Sequence, residues 1–220
     1  MGKSILFVLT SNDKLGDTGK KTGSWLEEFA APYELLTEAG HSVTFCTPSG
    51  EAAPVDEGSK AENFLTKLTA VWDEDEEGQK KFNSPKKLSD VSVSDYDAVF
   101  YPGGHGPVWD LADDKTSIAL IEAFAQADKV VASVCHGPVV FVNTSVIQGK
   151  NVTGFSNTEE EAVGLTKVMP YLLEDKLKAN GGNYSKGDDW GSHVVVDGKL
   201  ITGQNPGSSE EVAKAIMKLL

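Results

Sequence analysis

The chain has 220 residues, 40% hydrophobic and 24% charged, with 33 acidic against 20 basic side chains and a net charge of −13. A chain of this size buries about 70% of its unfolded surface without staples, and its apolar content rules out a disordered acidic tail. The negative charge repels phosphate backbones and anionic headgroups, which argues against nucleic-acid binding and peripheral membrane attachment.

Residues 4–10 are a continuous apolar run closed by turn residues, which predicts a strand buried on both faces. The same run is far too short to span a bilayer and lacks signal-type flanks. A polar loop over 11–21 leads to a predicted helix over 23–39, stopped by Gly40, and then to a second strand over 41–47. Residues 50–95 break this rhythm with an acidic run at 73–77 and a polar stretch at 80–85. They are expected to be an insertion on one domain spanning 1–220, with the acids forming a solvated face. A strand over 97–101 precedes Pro102-Gly103-Gly104, a helix covers 116–127, and a further buried strand covers 129–134. Asp197-Gly198 divides 194–202 into a hairpin, and a helix over 208–220 closes the chain. Helices alternating with buried strands imply an α/β sandwich on a mainly parallel sheet, with ligands expected at the carboxyl ends of the strands.

Cys46 and Cys135 are too few to staple a fold of this size, and sparse cysteine fits a reducing cytosol. Four scattered histidines without zinc-type cysteine spacing argue against a protein metal cage. Cys46 lies in a predicted strand and is expected to be packed core.

Cys135 is different. A buried strand runs into it, Ser133 and Gly137 flank it at minus two and plus two, and Gly137-Pro138 opens an expected helix. Small residues on both sides are what a tight strand-to-helix elbow needs around a nucleophile. At a helix start, free N–H groups and the dipole would stabilise a thiolate. The alternative is an inert buried cysteine. His136, beside it, is a candidate base, with a solvent-facing cap as its alternative. A third group should orient that imidazole, and residues 154–161 supply Glu159, Glu160 and Glu161, among which position alone does not choose. Gly104 follows another strand, and its N–H could pair with that of His136 as an oxyanion hole. His105 either touches substrate or caps its loop; Trp190 either lines the mouth of the site or is buried. On the first predicted helix, Glu27 and Glu28 are both candidates, with Pro32 four residues after Glu28 expected to bend the helix.

Residues 132–138 (ASVCHGP), with 101–106 (YPGGHG) upstream, resemble the ThiJ/PfpI superfamily, and more narrowly its branch of heat-shock-type proteins and glutathione-independent glyoxalases (glyoxalase III). Lys21-Thr22-Gly23 leading to Glu28, Gly154-Phe155 leading to Glu160, Asp189-Trp190 and the tail 202–206 (TGQNP) extend the likeness over essentially the whole chain. The resemblance implies a flavodoxin-like three-layer sandwich, a homodimer, Cys135 as nucleophile, His136 as its partner, Glu160 as the orienting carboxylate, and Glu28 rather than Glu27 as the acid near the sulfur. It also implies cofactor-free conversion of methylglyoxal and similar 2-oxoaldehydes to lactate-type acids. Glu28 is expected to be protonated beside the sulfur, because two anions in one buried pocket repel. A glutamine amidotransferase would need a late histidine and glutamate two apart, and His193 is followed by Val194-Val195. A cysteine peptidase or deglycase-like hydrolase and a stress-type holdase chaperone are the remaining alternatives.

Overall fold

The computed structural model describes residues 2–220. In chain order its elements are β1 (Ser4–Val8), α1 (Leu26–Glu38), β2 (Ser42–Thr47), α2 (Lys67–Glu74), α3 (Glu76–Phe82), β3 (Lys86–Lys87), β4 (Ala98–Tyr101) and α4 (Lys115–Gln126). There follow β5 (Val130–Val134), β6 (Asn151–Val152), α5 (Asn157–Ala162), α6 (Leu173–Ala179), β7 (Asn183–Tyr184), β8 (Val194–Asp197), β9 (Leu200–Gly203) and α7 (Ser209–Leu219). Among the described residues, seven strands form one sheet in the order β3-β2-β1-β4-β5-β9-β8, while β6 and β7 pair separately.

Only the β8–β9 hairpin is antiparallel in the large sheet. Residues of β4, β5 and β9 are buried throughout, so both faces are covered and the continuous apolar runs have their physical cause. On one side α1 packs against α7 and α2; elsewhere α4 packs on β4 and β5. None of the helices of the described residues is long and apolar enough to cross a membrane.

Strand order reverses beside β1, where β2 and β4 leave in opposite directions, and the loops at the carboxyl ends of β4 and β5 line one crevice, the usual ligand position in such sheets. Helix α1 begins at Leu26, later than the predicted residue 23. The reason is that Ser24 is extended against the following loop: its N–H donates to the Pro54 carbonyl at 2.8 Å, and the Asp56 N–H donates back at 2.9 Å. The helix then runs unbroken through Pro32.

The polar segment 50–95 is anchored by its few aromatics. Trp72 of α2 and Phe82 of α3 are buried and join Phe29, Tyr33 and Phe45 in one aromatic cluster, Phe29 stacking on Phe82 at 4.8 Å. Capping secures both short helices: Thr66 and Thr69 form a capping box before α2, and the Asp75 carboxylate accepts from the N–H groups of Glu77 and Gly78. Its acids at 73–77 are outward-facing or half-buried, as expected of a solvated face.

Candidate active site

Cys135 follows β5 with φ +61°, a left-handed conformation that costs a non-glycine residue on the order of 1–3 kcal/mol. Two backbone bonds hold it there: its N–H donates to the Gly203 carbonyl at 3.0 Å, and its carbonyl accepts from the Phe155 N–H at 2.8 Å. A Cβ at Gly137 would run into the Tyr101 carbonyl, which explains the glycine two residues on. Past the elbow the chain forms a short 3-10 turn, Gly137–Phe141, instead of the expected α-helix. Five residues of tight turn carry little of the dipole that would favour a thiolate. The thiol is accordingly pushed well up, by burial first and then by the Glu28 carboxyl beside it. Burial and the Glu28 carboxyl thus oppose the thiolate that a helix start would favour, and a base beside the sulfur would serve its ionisation.

That base is in place. His136 Nδ1 lies 3.5 Å from Cys135 Sγ, and His136 Nε2 lies 2.6 Å from Glu160 Oε2. The other Glu160 oxygen, Oε1, lies 3.0 Å from His105 Nε2. Burial pushes the Glu160 carboxyl up, but the two imidazoles outweigh it and hold the group well below the usual carboxylate range. A carboxylate can only accept, so both histidines present Nε2–H to it, and His136 turns an unprotonated Nδ1 toward the sulfur. Burial, then the neighbouring His105, lowers the pKa of His136 and keeps it neutral. The imidazole rings of His105 and His136 stand 4.1 Å apart, and Phe155 packs on His136 at 4.4 Å. Glu160 belongs to the first turn of α5, whose capping box is made by Ser156 and Glu159.

Glu28 approaches the sulfur from α1. It is fully buried; its Oε2 accepts the Gly103 N–H at 2.7 Å, and its Oε1 is buried without a hydrogen-bond partner. Burial raises its pKa to about 8, with the Cys135 thiol and the Gly103 and Gly104 N–H groups opposing more weakly. Cys135 thus feels the Glu28 carboxyl, although no well-formed hydrogen bond joins them. Gly103 has to be glycine: a Cβ there would stand 2.6 Å from His136 N and 2.8 Å from Glu28 Oε2. Gly104, at φ +82°, turns the loop; its N–H faces Glu28, and the residue lines the crevice.

A cavity of about 310 Å³ opens above the sulfur, with Cys135, His136, His105 and Gly104 on its lining. Its other walls are apolar apart from Asn63: Phe155 and Trp190 form one aromatic pair at 5.8 Å, Trp25 and Phe64 another at 5.1 Å. Trp190 is 47% exposed and sits at φ +64°. The fully buried Glu159 carboxyl fixes it, Oε1 accepting from the Trp190 N–H at 2.9 Å and from Asn205 Nδ2 at 2.8 Å.

Cys135, His136, Glu28, Glu160, Gly104, His105 and Trp190 are therefore brought together from five separate stretches of chain. Glu161, the third acid of its run, is exposed, and Glu27 is turned toward Thr66, whose Oγ1 donates to it at 2.7 Å. Cys46 is buried in β2, its thiol pushed up by burial. Trp25 and Phe64 had no role in the sequence pattern, Phe155 entered it only as a motif residue, and Glu159, one of the three candidate orienting acids, braces Trp190 rather than a histidine. The one sequence signal for Phe64 is an apolar Phe64-Leu65 pair inside a polar segment.

His105, His136 and Glu160 are metal-ligand types with ligand atoms within 4.8 Å of one another. Their N–O separations of 2.6 and 3.0 Å are hydrogen-bond lengths, tighter than two ligands each about 2.0–2.2 Å from a shared zinc would stand.

A mainly parallel α/β sheet with a cysteine elbow, backed by a buried histidine–carboxylate pair, places the chain in the class of elbow-nucleophile α/β proteins. More narrowly, the chain belongs to the DJ-1/PfpI family, whose pattern matches residues 22–219. It is 32% identical to the glutathione-independent glyoxalase HSP31 of Saccharomyces cerevisiae, over 96% of this chain and 95% of that protein. Among solved structures, the rapid encystment protein REP24 of Francisella tularensis superposes with a TM-score of 0.94 at 34% identity, covering 99% of this chain and 98% of that one. Glyoxalase III of Candida albicans superposes with a TM-score of 0.91 at 27% identity, covering 99% and 97%.

Proposed function

We propose that this protein converts methylglyoxal and related 2-oxoaldehydes to 2-hydroxy acids without glutathione, with Cys135 as nucleophile. The observation that carries this reading is Glu28: a buried carboxyl with one unpartnered oxygen, set beside the nucleophilic sulfur. A peptidase needs the Cys135–His136–Glu160 arrangement but no second proton carrier there. An internal redox isomerisation needs both.

In this mechanism the Cys135 thiol gives its proton to His136 Nδ1 as the sulfur bonds to the aldehyde carbon, and His136 returns that proton to the aldehyde oxygen. The product is a hemithioacetal. The carboxylate form of Glu28 then takes the hydrogen of the former aldehyde carbon as a proton, giving an enediol, and the acid form delivers a proton to the neighbouring carbon. The first carbon is oxidised to a thioester while the second is reduced to an alcohol, so no external oxidant is consumed. Water displaces the sulfur, releasing the hydroxy acid and the thiol. A midpoint of about 8 makes both forms of Glu28 available near neutrality, where acid–base catalysis is most effective. Glu160 orients His136 and stabilises its protonated form, and the His136 and Gly104 N–H groups face the developing oxyanion. His105 and Trp190 border the substrate. The chain acts as one domain with 50–95 as its insertion, as a cytosolic homodimer, without a cofactor; light scattering tests the dimer.

A time course with methylglyoxal and no glutathione tests the function. Wild type is expected to consume methylglyoxal and form lactate, and Cys135→Ala neither. Equal substrate loss in both removes the glyoxalase reading.

A further inference from the structure

The cavity is built for something larger than methylglyoxal, which carries only a methyl group beyond its two carbonyls. Its volume of about 310 Å³ lies at the lower end of the roughly 300–1,000 Å³ typical of pockets that bury drug-sized ligands. The polar groups lie around the sulfur, save Asn63 next to Phe64, and the remaining walls are mostly apolar, with Trp25 and Phe64 as one aromatic pair and Phe155 and Trp190 as the other. None of the lining residues is a lysine, aspartate or glutamate.

Two rim residues are kept in partial contact with water, Phe64 at 40% and Trp190 at 47% exposure. Leaving large apolar surface exposed is unfavourable and marks sites of interaction. At Trp190 the exposure is enforced: a left-handed backbone, disfavoured for a bulky side chain, is pinned by the Glu159 carboxyl on the Trp190 N–H. Strain of this kind holds a wall in position for a ligand rather than letting the indole fold away.

We propose that the preferred substrates are uncharged 2-oxoaldehydes with a bulky apolar substituent, aryl above all, which the Trp190 and Phe64 rings hold while the dicarbonyl reaches Cys135. This rests on the glyoxalase reading and deepens it. The step balances as before: the arylglyoxal takes up one water and becomes an aryl 2-hydroxy acid, its aldehyde carbon oxidised and its ketone carbon reduced. Anionic oxoacids find no cation on this wall to offset their desolvation.

Phenylglyoxal is the probe. Dicarbonyls of this kind condense with guanidinium groups, and all 20 basic side chains of the chain are lysines, so arginine modification does not confound the assay. One methylene in a hydrophobic pocket is worth about 10–200-fold in specificity, so the phenyl-for-methyl exchange is expected to raise kcat/KM by about tenfold or more. Trp190→Ala is expected to lower the phenylglyoxal-to-methylglyoxal ratio of kcat/KM by about tenfold. Phe64→Ala, which removes an exposed ring and leaves the backbone free of new strain, is expected to move the ratio in the same direction. Consumption of methylglyoxal with phenylglyoxal equal or poorer overturns this inference alone. Consumption of neither overturns the glyoxalase reading and this inference with it.

Discussion

Replacing Glu28 with glutamine removes a titration that the fold makes expensive. The carboxyl has no solvent exposure, and its midpoint moves from an ordinary 4.5 to about 8, chiefly because burial opposes its charge. Between those values the unfolded chain has lost the proton and the folded chain still holds it, so folding stability falls as pH rises. The stabilisation is complete below pH 4.5, and its loss is complete once pH has passed through about 8. At about 1.4 kcal/mol per decade, the span amounts to about 5 kcal/mol. Glutamine keeps an oxygen for the Gly103 N–H and nearly the same volume, but does not ionise. Urea denaturation of wild type and Glu28→Gln from pH 4 to 9 reads the effect. The stability difference, wild type minus variant, is expected to decline steadily from pH 5 to 8 and then level off. The titrations of groups that do not interact with Glu28 cancel in that difference, whereas those of Glu27 and Cys135, which do, add to it. A difference that stays flat across the range would refute a proton resident on Glu28. In the same variant, methylglyoxal turnover is expected to be lost while iodoacetamide still labels Cys135.

Glu160→Gln leaves His136 without the carboxylate that fixes its tautomer, and kcat is expected to fall on the order of 10²–10⁴-fold, measured by substrate depletion. His105→Ala removes a neighbour that holds the His136 pKa down, so the acid limb of the kcat/KM profile should move to higher pH. A pH titration of initial rates showing an unmoved or lowered limb counts against this coupling. Gly103→Ala forces a methyl between His136 and Glu28, and overpacking of this kind costs about 1–3 kcal/mol. Thermal unfolding should show the lowered stability, and activity should fall with it.

Much of the architecture was legible in the sequence because β1, β4 and β5 are buried on both faces, which forces unbroken apolar runs. The elbow was legible for a steric reason: a left-handed cysteine needs small neighbours, and Gly137 abuts the Tyr101 carbonyl. The choice of Glu28 over Glu27 was not legible from the residues, since adjacent helix positions differ only in which neighbour they face, and Thr66, the partner of Glu27, is 39 residues away. The same holds for His105, whose bond to Glu160 spans 55 residues. The 3-10 turn after Cys135 was not legible as such, because an α-helix and a 3-10 turn both begin acceptably with Gly-Pro. Phe64 was hidden in a polar segment whose composition suggests surface, although its aromatics are what fasten it to the site and the core.

Glu159 and Glu160 are consecutive residues on one helical turn, yet they serve different structures: one braces the cavity wall through Trp190 and Asn205, the other holds the histidines. Displacing the 188–192 loop would take only the Trp190 N–H from Glu159, since Asn205 Nδ2 still donates to Oε1 and the Ser156 N–H and Oγ to Oε2. The cavity wall and the histidine pair thus share one helical turn on the Trp190 side. On the Phe64 side the link runs through Thr66, whose Oγ1 donates to Glu27, the chain neighbour of Glu28. Because the Glu159 bond is to the Trp190 backbone, a lineage exploring new substrates can exchange the rings of Phe64 and Trp190 while the hydrogen-bonded frames that carry them stay in place.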